Sequence, residues 1–202
     1  PAIVRAMADG PHMVAVEHEL NVLRGELETL SVAEDLGLAS LNRTPLAMGL
    51  LSGRYRPDAL PAADDVRRNA PWWDFFDEGA MERWLERIAE ARTELTADGR
   101  SLVQGALGWI WGHSPATLPL PGFRTVAQVQ ENVGAAEHGP LPAERMERIQ
   151  AILRRTCRRR TQVAVPYSPA LEPGLLYMPE NFEVEVGGAV VFIIDVAHFE
   201  RL

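Results

Sequence analysis

The chain has 202 residues, 47% of them hydrophobic and 24% charged, an ordinary balance for a globular protein able to bury a sizeable core. Its net charge of −8 argues against non-specific binding to nucleic acid or to an anionic membrane surface, since either needs a positive face. All 20 basic residues are Arg, so a mechanism that requires a lysine amine cannot be completed within the chain. A single cysteine, Cys157, excludes an internal disulfide framework and fits a reducing compartment. With no secretory signal pattern and no apolar run long enough to span a bilayer, the expected location is cytoplasmic.

In chain order, residues 1–8 read as the tail of a helix stopped by Asp9-Gly10-Pro11. The apolar run Met13 to Val16 predicts a buried strand, followed by polar Glu17, His18, Glu19 and Asn21. His18 is expected either at the mouth of the sheet or as a plain polar residue at the strand end. Neighbours on a strand point to opposite faces, so Glu17, His18 and Glu19 do not make a metal site. Glu26 to Leu36 is an amphipathic helix with Leu27, Leu30 and Ala33 on one side and Gly37 as its stop. Leu38 to Leu41 is the next strand.

Residues 42–55 form a loop rich in Gly and small polar groups, continuing irregularly through the aromatic cluster Trp72, Trp73, Phe75 and Phe76. Long loops in compact domains are usually functional or mobile, and this cluster is either a lid over a ligand or local core. Glu78 to Leu95 is a helix with Met81, Leu85, Ile88 and Leu95 on one face. Ser101 caps a second helix running to Trp111, with Trp109 in the core. Ala116 to Leu120 is a third strand, Thr125 starts another helix, and Pro142 opens the last one, to about Thr156.

Strands alternating with helices imply parallel pairing with right-handed crossovers, but three parallel strands leave two unpaired edges. The expected architecture is therefore a part of a larger α/β fold. The tail from Thr161 changes character: a Pro-rich stretch precedes Phe182–Val186, Gly187-Gly188 and Ala189–Ile194, which read as a β-hairpin able to cover an exposed sheet edge.

The segment Leu118 to Val133 carries the functional signal. A short strand passes through Pro121-Gly122 into a helix with Thr125 as N-cap and Gln128 in capping-box spacing. Such a helix aims unpaired N–H groups and its positive dipole end at the space above the strand, which favours a phosphate. Arg124 stands at the mouth of that space, and Gln128, Glu131 and Asn132 recur on one helical face.

Three motifs together resemble the carboxyl-terminal part of the aldo/keto reductases: Val14 to Glu17 with Leu20-Asn21, Thr44-Pro-Leu46 with Gly49 to Tyr55, and Pro119 to Arg124 with Gln128, Glu131 and Asn132. The resemblance covers about residues 1–156 and implies a partial TIM (β/α)₈ barrel, about its last three βα units, with the C-terminal β-hairpin appended. It divides the chain into residues 1–160, a half-barrel with cofactor loops, and 161–202, of unknown role. It also implies that Thr44, Pro45, Leu46 and Ala47 line the pyrophosphate of NADP, with Leu50, Ser52 and Arg54 closing over it and Arg67 as a further contact. Gly122 would let the backbone approach, Arg124 and Gln128 would hold the adenosine 2′-phosphate, and Glu131 and Asn132 the adenine. Arg54 stands where the family commonly has Lys, Ala15 where it has a Gln for the nicotinamide amide, and Arg43 where it has the aromatic that stacks on the nicotinamide.

The family's catalytic Asp, Tyr, Lys and His lie in the first half of the barrel. The resemblance thus implies an NADP-dependent reductase of aldehydes or ketones, of which this chain holds the cofactor-binding half, no catalytic residue and no metal. The implied partners are a small carbonyl substrate and a chain that completes the barrel. The alternatives from sequence are a non-catalytic NADP-binding or regulatory module and a truncated remnant.

Overall fold

The structure, a computed structural model, describes residues 2, 4, 5, 13–57, 61–62, 64–69, 75–77, 79–156, 160–164 and 182–186. It is an α/β arrangement whose strands β1 (Ala15–Glu19), β2 (Ala39–Arg43) and β3 (Thr117–Pro119) form one parallel sheet in the order β1-β2-β3. Ala15 pairs with Ala39, and Ser40 with Thr117. Between β1 and β2 lies α1 (Leu27–Asp35), beyond whose end Gly37 takes φ +65°, the left-handed turn its position suggests. Between β2 and β3 come a 3₁₀ segment (Ala47–Ser52), α2 (Val66–Asn69), α3 (Ala80–Leu95) and α4 (Leu102–Trp111). After β3 follow α5 (Val126–His138) and α6 (Ala143–Thr156).

Both early strands run further than their apolar residues suggest. Each face of the sheet meets a different environment, and this decides which polar residues a strand tolerates. On one face His18, Ser40, Asn42 and Thr117 are buried; on the other Glu17, Ala39, Arg43 and Leu118 are exposed. Three of the buried polar groups share one hydroxyl: His18 Nε2 lies 2.7 Å from Ser40 Oγ, and Asn42 Nδ2 donates to the same hydroxyl at 2.9 Å. His18 is therefore a buried polar residue near the end of β1.

The core joins Leu20, Leu50, Leu51, Met81, Leu95 and Ile110, with Ile149 from α6. Phe75 and Phe76 are buried in it, which makes these two members of the aromatic cluster core; Trp72 and Trp73 lie outside the described residues. The N-terminus of α4 carries the full capping box, Ser101 Oγ accepting from Gln104 N while Gln104 Oε1 accepts from Ser101 N. Arg100, just before it, donates to the carbonyls of Gly139 at 2.8 Å and His138 at 2.9 Å, capping the end of α5.

Contacts divide the chain into two compact units, Pro1–Leu153 and Arg154–Leu202. In the second, β4 (Arg160–Ala164) and β5 (Phe182–Val186) pair antiparallel, with Arg160 opposite Val186. The strand expected at 182–186 is present. Its described partner is β4, for which the sequence carries no strand signal, while Gly187-Gly188 and Ala189–Ile194 lie outside the described residues. No helix among the described residues is long and apolar enough to cross a membrane.

Candidate cofactor-binding site

Above the carboxyl ends of β2 and β3 the loops that follow them enclose a cleft of about 710 Å³. One wall is built by Thr44, Pro45 and Leu46 with Met48 and Gly49; Ser52 and Arg54 continue it. The loop turns sharply. Thr44, Ala47 and Met48 are non-glycine residues with φ between 47° and 56°, and three of the four such residues among those described stand in this stretch. A left-handed L-residue costs about 1–2 kcal/mol, and strain of this kind collects at functional sites.

Two groups outside the loop hold it. Buried Asn21 donates from Nδ2 to the Thr44 carbonyl at 3.2 Å while its Oδ1 accepts from Leu23 and Arg24 N–H. Glu19 Oε1 accepts from Thr44 Oγ1 at 3.2 Å. Ser52 Oγ donates back to the Gly49 carbonyl at 2.6 Å, closing the next turn. Ala47 and Leu50 point away from the cleft and are fully buried in the core, so their side chains take no part in the wall.

The opposite wall comes from Leu120, Gly122, Phe123 and Arg124 and from the first turns of α5, through Gln128, Glu131 and Asn132. Thr125 is the N-cap, its hydroxyl accepting from Gln128 N at 3.3 Å. The reciprocal half of a capping box is shifted by one residue. Gln128 Oε1 accepts from Arg124 N at 2.7 Å, so the side chain braces the residue before the cap and keeps its amide N–H groups as donors. Among the described residues Asn132 Nδ2 is buried without a hydrogen-bond partner, and a Cβ on Gly122 would meet no other atom within 4 Å.

A third segment, Asp65 to Arg67, completes the rim. Asp65 Oδ1 accepts from Arg67 Nε at 2.7 Å and from its backbone N at 2.9 Å, and Oδ2 pairs with Nη2. The hydrogen bonds from Arg67 hold the Asp65 carboxyl down at about 2. Three guanidinium groups, Arg54, Arg67 and Arg124, thus converge on one cleft against the carboxylates of Asp65 and Glu131, leaving net positive charge in a chain that is acidic overall. Asp65, Val66, Val103 and Phe123 line the cleft without having been singled out from sequence. Only Arg67, through the family resemblance, pointed toward that segment. Among the described residues no group of three His, Cys, Asp or Glu side chains could hold a metal ion.

Burial lowers the pKa of His18, against a smaller opposing effect of Glu26, and burial likewise lowers that of His113. Both take up a proton more readily when unfolded, so stability is present above the ordinary value of about 6.5 and is lost as pH falls from there toward the lowered folded values. We expect urea midpoints to drop as pH falls below about 6.5, and the combined His18→Gln and His113→Gln variant to lose most of that slope. An unchanged slope would place the pH dependence elsewhere.

The sequence model of the aldo/keto reductase family matches residues 2–154, and that of the cyclic-di-AMP receptor family matches residues 140–202. The aldo-keto reductase str7 of Strobilurus tenacellus is 25% identical over 150 residues, 66% of this chain and 44% of that protein. The aldo-keto reductase yakc [NADP(+)] of Schizosaccharomyces pombe is 29% identical over 120 residues, 57% of this chain and 33% of that protein. The solved glycerol dehydrogenase AKR11B4 from Gluconobacter oxydans superposes with a TM-score of 0.67 at 21% identity, covering 88% of this chain and 50% of that one, a likeness of fold. The chain spans half or less of the length of these three proteins.

Proposed function

The chain belongs to the aldo/keto reductase family, and from that premise we propose that it is the NADP-binding part of a (β/α)₈ carbonyl reductase, β1 to β3 being the barrel's sixth to eighth strands. The observation that carries this reading is the convergence of the loops after β2 and β3 on a single cationic cleft. Phosphate sites of such barrels typically lie in the loops after strands seven and eight. The residues fit the ligand. Three guanidiniums suit a molecule with three phosphates, the unpartnered Asn132 Nδ2 suits a heteroaromatic acceptor, and the space at Gly122 admits a close approach to backbone.

In this assignment Arg124 and the free amide of Gln128 hold the 2′-phosphate, which discriminates NADP from NAD by charge pairing. Glu131 and Asn132 flank the adenine. Thr44, Pro45, Leu46 and Ser52 line the pyrophosphate, with Arg54 and Arg67 neutralising it, and the backbone around Ala47 and Leu50 shapes that wall. The dinucleotide supplies a hydride to the carbonyl carbon of an aldehyde or ketone. This chain's residues bind and orient it; proton donation to the carbonyl oxygen falls to groups in the remainder of the barrel, which would cover the exposed face bearing Glu17, Ala39, Arg43 and Leu118. The complete protein would act in the cytoplasm, on a small carbonyl substrate.

Mixing the chain with NADPH and 4-nitrobenzaldehyde tests the division of labour. The expected outcome is bound NADPH, seen by its fluorescence, with no loss of absorbance at the nicotinamide band. Turnover that disappears in Arg124→Ala would contradict it.

A second reading concerns Arg154–Leu202, where the match to the cyclic-di-AMP receptor family favours a separate ligand-binding piece. Titration of the full chain with cyclic di-AMP should then give saturable heat that excess NADP does not compete away. Absence of heat would sink this reading and leave the first untouched.

A further inference from the structure

Tyr55 lies just beyond the 3₁₀ segment, and its ring is fixed on two sides. It stands edge-on to buried Phe76, with centroids 5.2 Å apart, and a Cβ added at Gly49 would lie 3.4 Å from its Cε2. Its hydroxyl accepts from two guanidiniums that come from different segments, Arg54 Nη2 at 3.3 Å and Arg67 Nη1. Both cations also flank the ring, at 5.1 Å and 5.8 Å from its centroid. Arg54 and Arg67 line the cleft.

An arginine on a solvated loop samples many rotamers, and ordering it when a ligand arrives costs affinity. Here one phenol removes that freedom from two arginines at once. Of the five N–H donors of Arg67, Asp65 and Tyr55 engage three, leaving two for a ligand oxygen. We propose that Tyr55 is a positioning residue of the cleft: its hydroxyl holds Arg54 and Arg67 in their anion-binding orientation before any ligand is bound. The inference rests on the nucleotide reading above for the ligand, not for the geometry. The ligand class is a phosphorylated adenine nucleotide, and the phenol acts on it only through the two arginines.

Tyr55→Phe tests this, because it keeps the ring against Phe76 and removes only the hydroxyl. In the full chain, titration with 2′,5′-ADP and with NADP should show NADP bound roughly tenfold more weakly by Tyr55→Phe, as for loss of a hydrogen bond to charged groups, with thermal stability little changed. 2′,5′-ADP lacks the pyrophosphate bridge between two nucleosides and should lose less. Adding Tyr55→Phe to Arg54→Ala or to Arg67→Ala should cost less than it does alone, since the arginine it positions is gone. Equal NADP affinity for Tyr55→Phe and the parent, or losses that simply add, would overturn the inference.

A ligand-free readout separates the two ideas. Hydrogen exchange at the Arg54 and Arg67 side chains, followed by NMR, should be faster in Tyr55→Phe than in the parent chain. Unchanged exchange would overturn the role of Tyr55 whatever the chain binds. Failure of the nucleotide reading would show instead as a parent chain that binds neither compound.

Discussion

Arg124→Ala should cost roughly ten- to a hundredfold in NADP affinity, the range of about 1.5–3 kcal/mol expected for a charge-assisted hydrogen bond, while leaving NAD affinity where it was. The side chain is exposed, at the entrance to α5, and it is absent from the hydrophobic core, so its removal should not unfold the chain. Its backbone N–H still reaches Gln128 Oε1, so the brace before the helix survives the substitution. What disappears is the cation at the end of the cleft assigned in the proposal to the 2′-phosphate. The ratio of the two affinities isolates that cation, because losses through general loosening of the cleft would weaken both nucleotides together. Calorimetric titration of the variant with each nucleotide reads the ratio, and an equal fall in both would remove Arg124 from the discrimination.

Gly105→Ala should destabilise the chain by about 3 kcal/mol or more, at or beyond the upper end of ordinary overpacking. A Cβ at this position would lie 2.0 Å from the Leu95 carbonyl oxygen and 2.7 Å from its carbon. These are backbone atoms at the end of α3, so no side chain can rotate aside and the helices themselves must separate. Three residues on, Gly108 is also close-set, though less so, its Cβ position 2.8 Å from Arg100 Nη1 and 3.0 Å from the Gly139 carbonyl oxygen that Arg100 also binds. The glycines let α4 approach α3 and the end of α5 together. Because α4 also carries Val103 to the cleft wall, the substitution should weaken nucleotide binding as well. Urea unfolding followed by tryptophan fluorescence measures the loss; a midpoint equal to that of the parent would mean that α4 sits further from α3 than described.

The parts of this fold that the sequence made legible are those where one local rule decides. Ser101 with Gln104, Thr125 and Gly37 each announce a helix end through chemistry confined to a few residues, and the structure has each helix end there. The parallel order of the strands follows from their alternation with helices. What was not legible depends on groups brought together from distant segments. By sequence His18 follows a short strand and Asn42 opens a loop, yet both sit buried on a shared hydroxyl of Ser40, in strands that run one residue past each of them.

The same holds in the cleft. Ala47 and Leu50 follow the family motif in sequence, but the left-handed turn at Ala47 and Met48 sends their side chains into the core. The contact of Arg67 with Tyr55 joins residues twelve apart in the chain, for which spacing carries no signal. Phe75 and Phe76 could have been lid or core by sequence alone; their burial among α3 side chains decides it, as in the edge-on contact of Phe75 with Trp84.

The cleft between the loops after β2 and β3 is, on the proposal above, a site for a 2′-phosphorylated adenine dinucleotide. The most direct test is calorimetric titration of the unmodified chain with NADP and, separately, with NAD. One NADP should bind per chain, at least about tenfold more tightly than NAD, in line with one added charge-assisted contact. No saturable heat with NADP, or equal affinity for the two nucleotides, would contradict it.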